Sequence, residues 1–375
     1  MLIGDYITAV GAVMSRLSNP AVQADCHIPK EKYYMKKTRM SLAANLAVTF
    51  AIVALAQAAP AFAGVNNQVD ITQAGNDNSA ISTQAGTLNT GTITQHQTGG
   101  VENTVTLNQA GTSNTSTITQ VGTGNTAATT IIDGSVANVT TISQGLNTNS
   151  TNYATQQIDG GITGAGNTVV ATQDGAGANT SLQTVSGNGN YVSVNQTGAS
   201  STATQTVAGT YGIIATVQTG ITDVATTTIT SGNANLDYIT QAGNTETAAS
   251  TVYGNVNTVT TTQTGQNDHA TSFIYGDINT ASITQSGSYY GNNAIIAIGT
   301  DLSGNAIGYS SNNNASITQS GDVNTAEIQI IGGSNVASVI QTGSYNQAYV
   351  AVLASNSLST IAQNGNYNYA SVTQH

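Results

Sequence analysis

The chain has 375 residues, of which 6 are Lys or Arg and 17 are Asp or Glu, and every basic one lies before residue 40. Only Asp5, Asp25 and Glu31 of the acids precede Gly64, so Gly64 to His375 carries 14 acids, no Lys or Arg, and a charge of about −14. That balance excludes nucleic-acid binding, which sets Lys and Arg against phosphate, and disfavours anionic membranes. With Cys26 the single cysteine, disulfide and structural zinc frameworks are excluded as well.

Residues 1–34 precede a more natural start at Met35 and read as an extension of uncertain status, in the simplest case a mis-assigned start. Residues 35–63 have the anatomy of a signal peptide. Lys36, Lys37 and Arg39 form a positive n-region, Leu42 to Ala59 an apolar run, and Ala61-Phe62-Ala63 an A-x-A cleavage site. Export follows, with Gly64 as the first mature residue. A membrane anchor is the alternative, but Asn45, Gln57 and Pro60 weaken the apolar run and no basic stop-transfer group follows.

From Gly64 to His375 one motif returns. Gln-x-Gly-x-x-Asn starts at Gln73, Gln84, Gln109, Gln120, Gln319, Gln341 and Gln363. Successive Gln-x-Gly positions stand 22 apart from Gln241 to Gln263 to Gln285 and from Gln319 to Gln341 to Gln363, and 11 apart from Gln73 to Gln84. A fixed period of this size marks stacked units that cannot bury a core alone, and the half-step of 11 splits each unit into two similar halves. The composition, rich in Gly, Ser, Thr, Asn and Gln, would otherwise suit a disordered segment. A disordered chain, however, has no reason to keep Gly and Asn in phase. Gly75, Gly86, Gly111, Gly321, Gly343 and Gly365 are expected to be turn residues, because Gly and Asn tolerate positive φ.

Between the turns lie short runs of Ile, Val, Thr and Tyr, which are strand formers. Their alternation assigns the faces. Asn279, Ala281, Ile283 and Gln285 share one side, as do Asn335, Ala337, Val339 and Gln341, and Asn324, Ala326, Ile328 and Ile330. The intervening residues, such as Ser282, Thr284, Glu327 and Gln329, are mostly polar, so the first set points inward. Buried amides are costly singly but can bond up and down as ladders at strand spacing. The fold expected is all-β, a parallel β-solenoid of two-strand rungs. About 310 residues over a period of 22 gives about 14 rungs, or a body about 65 to 70 Å long. Phase is weakest from Thr123 to Asn235, where looser rungs are expected. The 34-residue step from Gln285 to Gln319 calls for a loop near 299–312 or an extra half-rung.

These residues resemble the curlin repeat of bacterial curli fibre subunits, Ser-x5-Gln-x-Gly-x-x-Asn-x-Ala-x3-Gln. Gln73, Gly75, Asn78, Ala80 and Gln84 fill its core, and Gln109, Gly111, Asn114 and Gln120 match with Ser116 in place of Ala. Ile330 and Val352 depart from it, so one of the two amide ladders is expected to become apolar in the C-terminal half. The resemblance implies a secreted subunit, passed through a dedicated outer-membrane pore, that assembles on a nucleator into amyloid fibres of a biofilm matrix. The family's nucleators carry basic residues in a terminal repeat. None occur here, which favours a structural subunit.

The partner expected first is another copy of the chain. The ladder residues Gln73, Asn78, Gln84, Gln109, Asn114, Gln120, Asn279, Gln285, Gln319, Asn335, Gln341 and Gln363 are the candidate assembly residues, and the faces are Val65 to Gln84 and Gln341 to His375. No Pro or Lys blunts either end. Asp77, Asp277 and Asp322 sit in turns, where stacking would bring like charges close and restrain assembly. No enzyme site is expected, since His96, His269 and His375 lie in different units. No cofactor or metal is expected either: the stretch nearest to a calcium nonapeptide, Gly160 to Gly164, lacks the Asp. Threonine runs such as Thr226 to Thr230 suggest a monomeric adhesin or ice-binding solenoid as the alternative, although the outward positions vary too much for a regular T-x-T array.

Overall fold

The computed structural model describes residues 66–76, 78–97, 101–132, 134–145, 151–160 and 165–375. The extension 1–34, the export segment 35–63 with Ala61 and Ala63, and Asp77 lie outside the described residues. The repeat body falls within the compact unit Gln57–His375.

Among the described residues it contains 26 strands, β1 (Gln68–Ala74) to β26 (Tyr369–Gln374), in two parallel 13-stranded sheets. Odd-numbered strands form one sheet and even-numbered strands the other, each pairing with the strand two further along. Consecutive odd and even strands make one rung, so β1 and β2 (Ser79–Gln84) are rung 1, and β25 (Leu358–Asn364) and β26 are rung 13. The half-step of 11 from Gln73 to Gln84 is thus a crossing from one sheet to the other.

There are 13 rungs where uniform spacing gives about 14, and the stack rises about 58 Å from first rung to last. The difference lies in uneven rungs. Gln144 pairs with Gln173 over a sequence separation of 29, and Gln285 with Gln319 over one of 34, without a break in either sheet. Among the described residues strand pairing continues through 123–235, where looser rungs are expected, with one irregularity, a register shift between Ile229 and Ser231 in β14 (Val224–Ser231) against β16 (Thr247–Tyr253). The long step from Gln285 to Gln319 is a loop and no half-rung: β20 (Asn293–Ile298) pairs directly with β22 (Thr325–Ile330), so both sheets keep their sides.

Alternate residues point into a thin core. Ile93, Ile118, Ile142, Ile283, Ile317 and Val339 are fully buried among Ala and Val of both sheets, while the intervening Thr and Ser face solvent. Burying one such side chain contributes about 1.5–3 kcal/mol, repeated at every rung.

The corners differ from expectation in one respect. The motif glycines have positive φ, from 90° at Gly86 to 112° at Gly365, but the motif Asn residues do not. At the described motif corners the residue before the Asn does instead, whatever its type: Leu88, Ser113, Val323 and Tyr345 all lie near φ 58°, as does Ile278 before Asn279. Ile278 and Val323 are β-branched, for which this conformation costs about 1–3 kcal/mol. Stacking on neighbouring rungs offsets it. The Asn is kept for its side chain.

Candidate functional site

The glutamine column of the odd sheet is continuous. Gln73, Gln95, Gln120, Gln144, Gln173, Gln196, Gln218, Gln241, Gln263, Gln285, Gln319, Gln341 and Gln363 occupy one register position, and each Nε2 donates to the Oε1 of the next at 2.7–3.0 Å. Most also donate to a backbone carbonyl of the facing strand, as Gln341 does to Thr325 O at 3.0 Å. Each inner amide therefore has its donors and its oxygen satisfied, which removes the cost of burial.

Gln84 and Gln109 belong to the even sheet. Gln84 Nε2 donates to Gln109 Oε1 at 2.7 Å, and there that column ends. The same position is Ile131 in rung 3 and stays Ile or Val through Ile158, Val185, Ile298, Ile330 and Val352, before Gln374 closes it in rung 13. The second ladder thus turns apolar in the third rung, well before the C-terminal half, and glutamine returns at the far end. A shorter ladder that the motif does not announce runs one position earlier in the core: Gln156 donates to Gln183 and Gln183 to Gln205, each at 3.0 Å. Its only signal is period-two alternation within β8 (Tyr153–Asp159), β10 (Thr180–Ser186) and β12 (Thr202–Ala208).

Asparagines line both corners. At the corner before the odd strands, Asn114 Oδ1 accepts the N–H of Asn138 at 2.9 Å, Asn279 Oδ1 that of Asn313 at 3.1 Å, and Asn335 Oδ1 that of Ser357 at 2.9 Å. Asn78 stands at the start of the opposite corner column, where Asn103 Nδ2 reaches its Oδ1 at 3.4 Å. The other hand of the amide, Nδ2, donates to a corner carbonyl of the next rung, that of Ser135, Ser310 and Ala354 for Asn114, Asn279 and Asn335, and often a glycine's, as Asn324 does to Gly343 O at 2.8 Å. Those glycines are sterically required: a Cβ on Gly343 would collide with the Gly365 carbonyl, whereas on Gly365 the nearest atom is Asn368 Nδ2 at 3.6 Å. Gly75, Gly86, Gly111 and Gly321 likewise face backbone or side-chain atoms of the following rung.

In rungs 7 to 9 the corner column before the even strands changes chemistry, reading Asp223, Glu246, Asp268 in place of Asn. Asp223 Oδ1 accepts Glu246 N at 3.1 Å and Asp268 Oδ1 accepts Asn292 N at 2.8 Å, while Asp223 Oδ2, Glu246 Oε1 and Asp268 Oδ2 are buried without a hydrogen-bond partner. Burial raises all three, Glu246 to about 7. Asp237, fully buried in β15 (Leu236–Gln241), is likewise pushed up to about 7 by burial, its carboxyl turned toward the hydroxyls of Ser250 and Thr227, neither in hydrogen-bond geometry.

The turn acids behave otherwise. Asp277 accepts Asn255 N at 2.6 Å and Tyr309 Oη at 2.6 Å, and the Tyr309 bond holds its carboxyl below the usual range. Asp322 Oδ1 accepts the N–H groups of Ser288 at 2.8 Å and Tyr289 at 3.2 Å. Each stacks on neutral residues, Asn255 and Ser311 for Asp277, Ser288 and Ser344 for Asp322, so neither meets another acid in its own corner column, although Asp322 adds to the repulsion on Asp268. His96, His269 and His375 are exposed on different rungs, and among the described residues no group of three or more His, Cys, Asp or Glu is placed to hold a metal.

No curated protein matches the chain significantly. The family model of the curlin associated repeat matches residues 100–128 and 311–343. The first segment takes in β4 (Thr104–Gln109) and β5 (Thr115–Val121), the second β21 (Asn314–Ser320) to β23 (Val336–Thr342). Gln109, Gly111, Asn114 and Gln120 fall in the first and Gln319, Gly321, Asn335 and Gln341 in the second, whereas Gln73 to Gln84 lies outside both. With a ladder glutamine, a positive-φ glycine and a corner asparagine in each matched segment, the chain carries the curlin associated repeat near both ends of its solenoid.

Proposed function

We propose that the chain is an exported structural subunit that polymerises end to end into extracellular amyloid fibres of the curli kind, serving a biofilm matrix and adhesion. One observation carries the reading: the two end rungs are in phase. Set one rung apart, β25 of one copy aligns Ile361 and Gln363 with Ile71 and Gln73 in β1 of the next, and β26 aligns Ala370 and Gln374 with Ala80 and Gln84 in β2. A junction between copies would therefore repeat an internal step.

The end rungs are also unfinished. Val69 faces inward yet is 39% exposed, whereas its column neighbours Ser116 and Val169 are fully buried. Among the described residues no strand covers the outer edge of β1 or of β25, each a row of unpaired backbone groups. Gln363 Nε2 donates only to Gln347 O at 2.9 Å, leaving one hydrogen for an acceptor beyond the rung. A dedicated secretion pore and a nucleating subunit complete the reading, on the strength of the repeat alone.

Electron microscopy and seeded elongation of the purified chain test it, with Thr360→Pro as the edge variant. Val336 N donates forward to Ser357 O at 2.9 Å, so by parallel-ladder alternation the N–H of Thr360 points off the open edge. Removing it should leave the fold intact and stop growth at that end. A chain that stays monomeric at high concentration, or a proline variant that elongates as the parent does, refutes the proposal.

A further inference from the structure

The Asp223, Glu246 and Asp268 column suits a second state of the molecule. In rung 5 the corner residue is Asn179, whose Oδ1 accepts Ser201 N at 2.9 Å and whose Nδ2 donates to Gly198 O at 3.1 Å. Above Gly175 the position of a Cβ is contested by that carbonyl and by Asn179 Nδ2. Three rungs share this geometry with a carboxyl oxygen in place of the amide nitrogen. Gly243 O and Asp223 Oδ2 converge over Gly220, Gly265 O and Glu246 Oε1 over Gly243, and Gly287 O and Asp268 Oδ2 over Gly265, where Gly287 N also approaches. An ionised carboxylate there sets oxygen against carbonyl oxygen with no hydrogen between them. A protonated one supplies the donor that the asparagine supplies elsewhere.

We propose that this column is a proton-operated latch: the corner of rungs 7 to 9 closes when the three acids are protonated and opens when they ionise. No cation compensates them, and the hydrogen bonds they accept fall on their other oxygens: Glu246 N on Asp223 Oδ1 at 3.1 Å, Gly243 N on Glu246 Oε2 at 3.1 Å, and Asn292 N and Nδ2 on Asp268 Oδ1 at 2.8 and 3.0 Å. Glu246 feels Asp223 on one side and Asp268 on the other, Asp268 also feels Asp322, and Asp237 lies inside the same rungs. His269, next to Asp268, is turned to solvent, and no Lys or Arg occurs after residue 40. Adjacent acids sit one rung apart, about 4.8 Å, buried from water, where like charges repel far more than at a surface.

The direction follows from the geometry and is supported by the raised acidities of all three groups, Glu246 to about 7. Folded acids that hold their protons more tightly than unfolded ones favour folding below about pH 4, and that advantage is lost as pH rises toward about 7. Each acid titrating in the window changes the closed-to-open ratio by up to about tenfold per pH unit. The latch belongs to the monomer fold and does not depend on polymerisation.

Hydrogen exchange, corrected for intrinsic rate, reads it locally at the N–H groups of Glu246 and Asn292, both bonded to column carboxylates. The chain is compared at pH 5 and pH 7.5 with Asp223→Asn/Glu246→Gln/Asp268→Asn and with a charge-matched variant of exposed acids, Asp70→Asn/Glu102→Gln/Asp159→Asn. Protection in the parent should fall by at least about tenfold at the higher pH. The column variant should lose the pH dependence, and the exposed variant should keep it. Equal parental protection at both pH values, a dependence that survives in the column variant, or one that vanishes in the exposed variant overturns the proposal. If the triple column variant does not fold, Glu246→Gln alone serves, with a dependence shallower than the parent's expected and an unchanged one decisive against.

Discussion

Gln285 Nε2 donates to Gln319 Oε1 at 2.9 Å over a sequence separation of 34, the same distance as its own bond from Gln263, where the separation is 22. The ladder is indifferent to the length of chain between its members. The link from Ile298 to Asn313 is ten positions longer than the equivalent link from Ile330 to Asn335, and the excess forms one outward loop, closed by Ile307 N donating to Gly299 O at 2.9 Å.

Deleting Thr300 to Tyr309 should therefore leave the solenoid folded. Loop length enters stability only logarithmically, so the change should stay within about 1 kcal/mol, apart from the lost bonds of Tyr309 to Asp277 and of Gln329 Nε2 to Thr300 O. Denaturant unfolding followed by circular dichroism measures it, and collapse of the β signal would show the loop to be structural.

Gln218 and Gln363 should separate stability from growth. Gln218→Ala leaves Gln196 Nε2 and Gln241 Oε1 facing a void inside the core, at a cost of about 2–4 kcal/mol in unfolding free energy. Gln363→Ala breaks one ladder bond at the edge and should cost about half as much, yet slow seeded elongation more. Gln144→Ala should follow Gln218. Equal elongation rates for Gln144→Ala and Gln363→Ala would remove the end rung from the growth step.

Asp237 is a single buried acid between Ile214 and Val259 in its column. Its folded acidity near 7 lies above the usual carboxylate range, so its contribution is greatest in acid and is lost as pH climbs from about 4 to about 7, at up to about 1.4 kcal/mol per pH unit. Asp237→Val should raise the unfolding midpoint at pH 8 and change it little at pH 4. Equal gains at both would mean that packing, and not ionisation, is responsible.

Gly343→Ala should destabilise more than Gly365→Ala. Both have φ near 110°, which strains any L-residue by about 1–2 kcal/mol, but only at Gly343 does the new methyl meet the carbonyl of a following rung. Thermal melts of the two variants give the comparison directly, the gap between them measuring the clash.

Much of this architecture is legible in the sequence. Alternation assigns inward and outward faces correctly for Ala281, Ile283 and Gln285, because a strand's period is two and nothing local competes with it. Which sheet a glutamine joins is harder to read, since Gln73 and Gln84 carry the same motif and only the fold sends them to different columns. The buried acids were readable yet easily missed. Asp223, Glu246 and Asp268 each stand five positions after a ladder glutamine, as Asn346 does after Gln341, but an acid in a turn suggests solvent. The left-handed corner residues leave no compositional mark at all, because Leu88, Ile278 and Tyr345 are held there by stacking and not by preference.

Every one of the twelve glutamine bonds points the same way, from Nε2 toward the C-terminal neighbour. The column is therefore a vector, tipped by an oxygen on Gln73 and by a hydrogen on Gln363. Two copies meeting by like ends would oppose oxygen to oxygen or hydrogen to hydrogen, so a twofold pair sealed at its ends is disfavoured at this column, while unlike ends match and leave the same mismatched pair of tips exposed after each addition.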